Sequence, residues 1–307
     1  MSTLSKMRTA VSVATVWTTP ESPRPLDEPA LQQPALLAEW IGAMTVPDKL
    51  DLYNGNRIQT QLLYGTEVLA AEQRGDWIKV FIPDQATRKE ALGYPGWVPK
   101  CQLAASDEHY QADKWAEVIA DKAQLILEGN QDTTIELSFL TRLPVLAEAG
   151  ESVTVHSPHG TAVLQSKDVR IISGSASASP DAGQIGQRIV EQGMRFLGLP
   201  YLWGGMSSFG YDCSGFAYSM HKSQGIIIPR DASDQARQGE VIERDELQPG
   251  DLLFFAFEKG KGNVHHVGIY AGDNHMLHSP DSSSCIELIP LEGYKLADEH
   301  CISRRYR

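Results

Sequence analysis

Apolar and polar positions alternate with a period of two through most of the first hundred residues, the mark of half-buried strands. The clearest runs are AVSVATVW (10–17), TEVLAAEQRGDWIKVFIPD (66–84) and GYPGWVPKCQL (93–103). In the middle run the Arg74–Gly75–Asp76 turn separates two strands. Trp77, Lys79 and Phe81 then share one face, and Ile78, Val80 and Ile82 the other. A helical period interrupts the series in LQQPALLAEWIGAMTVPDKLDLY (31–53), where Leu36, Leu37, Trp40 and Ile41 fall on one stripe. Residues 117–172 repeat the strand style more loosely, in AQLILEG, PVLAEAG, ESVTVHSPHGTAVL and DVRII.

The pattern breaks at SGSASASPDAG (173–183), where small polar residues cannot form a core and a linker is expected. Beyond it the punctuation changes to helix, turn and strand. IGQRIVEQGMRFLGLP (185–200) sets Ile185, Ile189, Val190, Phe196 and Leu197 on one side of a helix that ends near Gly198–Pro200. CSGFAYSMHKSQGI (213–226) repeats the spacing with Cys213, Phe216, Ala217 and Met220, and Gly225 is the expected stop. GDLLFFAF (250–257) is a continuous apolar run suited to a central buried strand. HVGIY and HMLHS then alternate as two strands across the Gly272–Asp273–Asn274 turn.

Composition adds limits. With 307 residues the chain is too long for one small core, and its 42% hydrophobic and 21% charged residues are ordinary for a globular protein. A net charge of −12 argues against nucleic acid or an anionic membrane as partner. No apolar run approaches the roughly 18–20 residues needed to span a bilayer. Lys6 and Arg8 precede a mildly apolar patch, but its alternation reads as a first strand and not as a secretion signal. Four cysteines (Cys101, Cys213, Cys285 and Cys301) are scattered without framework spacing, which suits a reducing compartment, so a cytoplasmic protein is expected.

Candidate chemistry centres on YLWGGMSSFGYDCSGF (201–216). Cys213 stands at the start of a helix, where free backbone N–H groups and the helix dipole favour a thiolate. Asp212 can cap that helix, but its charge would raise the thiol pKa, so a base or cation must come from elsewhere. The hairpin supplies one: His266 and His278 can lie side by side, His266 to take the thiol proton and His278 to fix its tautomer. His265 should point to the opposite face and reach the surface, His275 should be exposed beside the turn, and His221 should lie on the polar side of the cysteine helix. Two histidines and a cysteine are a partial zinc set without a fourth ligand, so no metal or cofactor is expected. Trp203, Cys101, Cys285 and Cys301 read as structural.

The ordered motifs PYLWGG, YDCSGF, PR, GDLLFF, HHVGIY and MLHS resemble the NlpC/p60 family of bacterial cell-wall cysteine peptidases over residues 183–307. The resemblance implies an α+β papain-like domain with Cys213 as nucleophile, His266 as general base, His278 as the orienting third residue and Tyr201 beside the oxyanion. GYPGWVP resembles the closing strand of a bacterial SH3 domain, and two SH3-like β-barrels fit the upstream strands. The expected organisation is 1–105 (first barrel, with a helical insertion), 106–173 (second barrel), 174–182 (linker) and 183–307 (peptidase domain).

That combination is similar to γ-D-glutamyl-L-diamino acid endopeptidases that recycle murein peptides, in which the first barrel closes one end of the cleft. The implied substrate is L-Ala-γ-D-Glu-L-Lys, or its meso-diaminopimelate equivalent, with a free L-Ala amine, and a monomeric enzyme is expected. By the same resemblance Tyr94, Asp212, Ser214, Asp231 and Ser233 should face the substrate. Arg230 should either stabilise its loop or meet the D-Glu α-carboxylate. An acidic amine partner is expected before LLYG, yet Gln59 and Gln61 stand there. Asp231 would then act alone, Glu67 would substitute, or specificity would be looser. The rival readings are an amidase or acyltransferase on the same fold, and a non-catalytic wall-binding module.

Overall fold

The computed structural model describes residues 4–106, 110, 112–129, 133–173 and 184–307, so the expected linker at 174–182 lies outside the described residues. The chain forms two compact units, neither contiguous in sequence: Met1–Asp84, Leu92–Ser177 and Ser207–Phe209 make one, and Gln85–Ala91, Ala178–Met206 and Gly210–Arg307 the other.

Among its described residues the first unit holds two seven-stranded antiparallel sheets. One runs in the order Ile58–Leu63, Val13–Trp17, Tyr94–Pro99, Trp77–Ile82, Glu67–Arg74, Ser5–Thr9, Leu103–Ala105. The other runs Thr134–Ser138, Lys122–Leu127, Gly160–Gln165, Ser152–Ser157, Arg142–Ala149, Lys114–Val118, Val169–Ser173. The second order is the first displaced by seven strands along the chain, so one topology occurs twice.

Alternation decides which faces are buried. Ile78, Val80 and Ile82 lie in the core while Trp77, Lys79 and Phe81 are half-buried, as the period-two reading requires. The helical insertion is two helices, Leu37–Ala43 and Val46–Asn54. Thr45 caps the second, and Pro47 in its first turn cannot continue the first. Leu37, Trp40 and Ile41 are buried, whereas Leu36 lies ahead of the first turn and is exposed.

In the second unit a six-stranded sheet has the order Glu240–Ile242, His300–Arg305, Leu252–Ala256, Val264–Gly272, His275–His278, Glu287–Pro290. Leu252–Ala256 is buried at every position, as its unbroken apolar run predicts. Helices Ile185–Met194 and Cys213–Ser223 pack on the neighbouring strands Val264–Gly272 and His275–His278. The first helix ends before Leu197, which is therefore exposed instead of joining Ile189, Val190 and Phe196 in the core. Among the described residues no helix is long and apolar enough to cross a membrane.

Candidate active site

Two local devices aim the cysteine helix. Asp212 has extended backbone and accepts the Gly215 N–H at 2.6 Å, a side-chain N-cap that starts the helix at Cys213. Gly215 allows the first turn to lie against the Gly204–Gly205 turn, because a Cβ there would stand 2.2 Å from the Gly205 carbonyl oxygen. The other oxygen of Asp212 accepts the Gly204 N–H at 2.9 Å, which ties the glycine turn to the helix start.

The charge problem posed by Asp212 is met by Arg230, whose Nη2 lies 2.7 Å from Asp212 Oδ2 with both side chains almost fully buried. Arg230 Nη1 also donates to Asp212 Oδ1 at 3.2 Å and to Ser214 Oγ at 2.9 Å, and the Ser214 hydroxyl donates to Asp212 Oδ1 at 3.1 Å. These bonds are of the supporting kind expected of Arg230. Asp212 and Ser214 are likewise committed to this network and not presented to solvent. Gln235, outside the sequence-derived set, braces the same turn by donating to the Ser214 and Pro229 carbonyls at 3.0 and 2.8 Å.

Cys213 is buried, and burial foremost, then the charge of Asp212, pushes its thiol up to about 12. Hydrogen bonds from the Val267 and Ser214 backbones and the charge of Arg230 act in the opposite direction. The helix start alone thus does not make a thiolate in the resting protein, contrary to the simplest reading of the sequence.

The Val267 contact puts the sulfur beside the strand that carries His266. His266 Nε2 and His278 Nδ1 are 2.8 Å apart, with the rings edge-to-face. The hairpin is the predicted one, with Asp273 and Asn274 both left-handed at its tip. Burial, then the neighbouring His278, holds His266 well below 6.5, and burial lowers His278 to about 4, so both rings are neutral near neutral pH. The Phe255 and Tyr294 rings flank the pair at 5.7 Å from His266 and 5.5 Å from His278 respectively. On the neighbouring strand, Glu287 Oε1 lies 3.3 Å from His278 Nε2, a contact that only the strand register reveals. Tyr201 is buried, and burial, then the charges of Cys213 and Asp212, raises its phenol well above 10 and keeps it a neutral donor.

A thiol, a neutral imidazole, a second imidazole to orient it and a neutral hydroxyl are the parts of nucleophilic acyl transfer. Among the described residues no group of three His, Cys, Asp or Glu side chains is arranged to hold a metal ion.

Three histidines outside the pair sit differently from expectation. His221 is fully buried and not on a polar face; its Nδ1 donates to the Ala217 carbonyl at 2.8 Å, and burial lowers it to about 4. His265 is half-buried, stacked on Phe257 at 4.1 Å and 2.7 Å from Glu299. His275 is partly buried, with Nδ1 at 2.7 Å from the Asp273 carbonyl. Asp231 is half-buried and carries an ion pair with Lys89 at 3.1 Å, from a segment that also gives the Ala86 carbonyl to the Arg230 N–H at 3.0 Å. Ser233 is half-buried in the short helix Ala232–Gln235.

In the first unit Tyr94 is part of a buried apolar cluster. Glu67 is not an open acceptor for an amine, because Arg8 and Lys6 hold its carboxylate at 2.7 and 2.9 Å. Gln59 donates to Thr18 at 2.7 Å, and Gln61 accepts from the Ser207 hydroxyl at 3.1 Å.

Comparison with known proteins gives a concordant picture. The NlpC/P60 family profile matches residues 198–305, and that of the YKFC SH3b2 domain matches residues 118–171. A gamma-D-glutamyl-L-lysine dipeptidyl-peptidase of Bacillus subtilis (strain 168) is 42% identical over 301 residues, which cover 97% of this chain and 98% of that one. Its namesake from Bacillus cereus (strain ATCC 10987 / NRS 248) is also 42% identical, over 98% of this chain and 91% of that one. The crystal structure of an NlpC/P60 family protein from Bacillus cereus ATCC 10987 superposes with a TM-score of 0.94 at 40% identity, covering 98% of this chain and 99% of that one.

Proposed function

The chain belongs to the NlpC/P60 family, and from that premise we propose that it is a cysteine peptidase cutting the γ-D-glutamyl–L-diamino acid bond of murein stem peptides. The observation that carries this reading is whole-length similarity to two gamma-D-glutamyl-L-lysine dipeptidyl-peptidases, combined with buried Cys213, His266 and His278, the two rings 2.8 Å apart and the sulfur bonded by the Val267 backbone next to His266.

Cys213 passes its proton to Nδ1 of His266, the nitrogen not facing His278, as the sulfur attacks the γ-carbonyl carbon of D-Glu. With a thiol at about 12 and a weakly basic imidazole, transfer accompanies attack and does not precede it. The oxyanion is met by the Tyr201 hydroxyl and the Cys213 backbone N–H. His266 then protonates the departing amine of the diamino acid, the C–N bond breaks, and a thioester remains. Water, deprotonated by His266, opens the thioester and restores the thiol.

The finer reading is a recycling enzyme that requires a free L-Ala amine, with L-Lys or diaminopimelate beyond the cut, working as a monomer in the cytoplasm. Asp231 is its amine anchor, reached when the ammonium displaces Lys89, with Ser233 beside Asp231. We read 1–105 and 106–173 as two SH3-like domains and 183–307 as the peptidase domain. The repeated strand order and the SH3 profile on the second sheet support that division.

Mass spectrometry of L-Ala-γ-D-Glu-meso-diaminopimelate and of the same peptide acylated on its alanine tests both levels. Release of L-Ala-D-Glu from the free peptide alone supports the whole reading. Cleavage of both retains the bond specificity and refutes the amine requirement. Cleavage of neither, with Cys213 still reactive, leaves the amidase or acyltransferase alternative.

A further inference from the structure

The two catalytic histidines leave one proton position that the chemistry must define. A single proton lies between His266 Nε2 and His278 Nδ1 across their 2.8 Å contact. When His266 takes up the thiol proton, both its ring nitrogens carry hydrogen, so His278 Nδ1 must be the acceptor. His278 therefore holds its own hydrogen on Nε2. That nitrogen is buried and has no hydrogen-bond partner of good geometry. The group standing before it is the carboxylate of Glu287, at 3.3 Å.

Backbone register places Glu287 there. His278 and Glu287 are direct partners in the antiparallel pairing of His275–His278 with Glu287–Pro290, so the carboxylate comes from the sheet itself. The other groups acting on His278 are His266, the Tyr294 ring, Lys295 and Asp281. Lys295 and Asp281 are paired with each other at 3.0 Å.

We propose that Glu287 is a positioning residue of the reaction: it holds His278 in the Nε2–H tautomer and, through it, stabilises the protonated His266. This rests on the catalytic reading of Cys213, His266 and His278.

The test uses the full chain with Glu287→Gln and Glu287→Ala, at a site that is partly solvent-exposed. Peptide cleavage and the rate of Cys213 alkylation by iodoacetamide are both followed against pH. The expected result is a fall of roughly tenfold in kcat, the size of one charge-assisted hydrogen bond in the barrier, with KM within about twofold. The acid limb of kcat/KM should move to lower pH, because an imidazole pair without its anion binds a proton less readily, and alkylation of Cys213 should slow in parallel. An unchanged kcat with an unmoved acid limb, or a loss confined to KM, overturns the proposal. Alkylation needs no peptide. If the parent enzyme cuts no γ-D-glutamyl peptide, the functional reading fails, while unchanged alkylation in both variants still refutes the role of Glu287.

Discussion

Replacing Arg230 by methionine removes the cation from a pair in which Arg230 and Asp212 are 2% and 6% exposed. Asp212 keeps the Gly204 and Gly215 N–H groups and the Ser214 hydroxyl, but its charge is left in a nearly dry site. Breaking such a pair from one side costs about 3–5 kcal/mol, mostly the penalty of the stranded charge. At roughly 2–4 °C per kcal/mol for a unit of this size, the midpoint of the second unit should fall by on the order of 10 °C. The readout is thermal exposure of Cys213, followed by mass spectrometry of alkylated peptide, which isolates the unit of interest. The double variant Asp212→Asn with Arg230→Met removes the stranded charge and should recover at least half of the loss. At a temperature where Arg230→Met is still folded, cleavage should also slow, since Arg230 opposes the upward push of Asp212 on the thiol. An Arg230→Met midpoint within about 2 °C of the parent, or a double variant no better than the single, would refute the reasoning that Asp212 is a charge compensated by Arg230.

Cys213→Ala should abolish cleavage while leaving the melting curve nearly unchanged; residual turnover above that of an His266→Ala variant would remove Cys213 from the nucleophile role. His221 and His278 are buried and lowered to about 4, so the unfolded chain binds more protons than the native one between about pH 4 and 6.5. Stability should therefore be complete above about pH 6.5 and decline as pH falls toward 4. His221→Gln should flatten part of that decline in urea titrations at stepped pH, and an unaltered slope would deny its burial as a cause. Lys89→Ala removes from Asp231 one half-exposed ion pair worth about 1 kcal/mol at most, so KM for a free-amine peptide should drop by up to about fivefold. A KM that is unchanged or raised would exclude competition between Lys89 and the substrate amine.

What could be read from the sequence was governed by local periodicity. The cysteine helix, its Gly225 stop, the histidine hairpin and the apolar central strand all follow from spacing within about fifteen residues, and each forms as expected. What escaped depends on which distant strands become neighbours. Residues 300–305 carry four polar or charged positions out of six, yet they form a strand between Glu240–Ile242 and Leu252–Ala256, where Arg305 meets the buried Asp251 at 2.7 Å. His221 looked solvent-facing because Ser219, Lys222 and Ser223 surround it, but the cysteine helix is covered nearly all round and only Lys222 stays outside the core. Glu287 in CIELIP carries no local signal at all, because its meaning comes from the strand opposite.

The non-contiguous units bear on how this chain can be cut. The segment Gln85–Ala91 leaves between the strands Trp77–Ile82 and Tyr94–Pro99, and its Arg88 supplies the ion pair and a backbone N–H at 2.9 Å to the buried Asp234. Ser207–Phe209 makes the reverse excursion: Ser208 bonds the Ser138 hydroxyl at 2.9 Å and accepts the Phe139 N–H at 3.0 Å. A fragment boundary near residue 180 therefore divides both sets of contacts between the two pieces. The released C-terminal portion would carry Asp234 without its cation and Arg230 without the Ala86 carbonyl, while the N-terminal portion would lose the partner of Ser138.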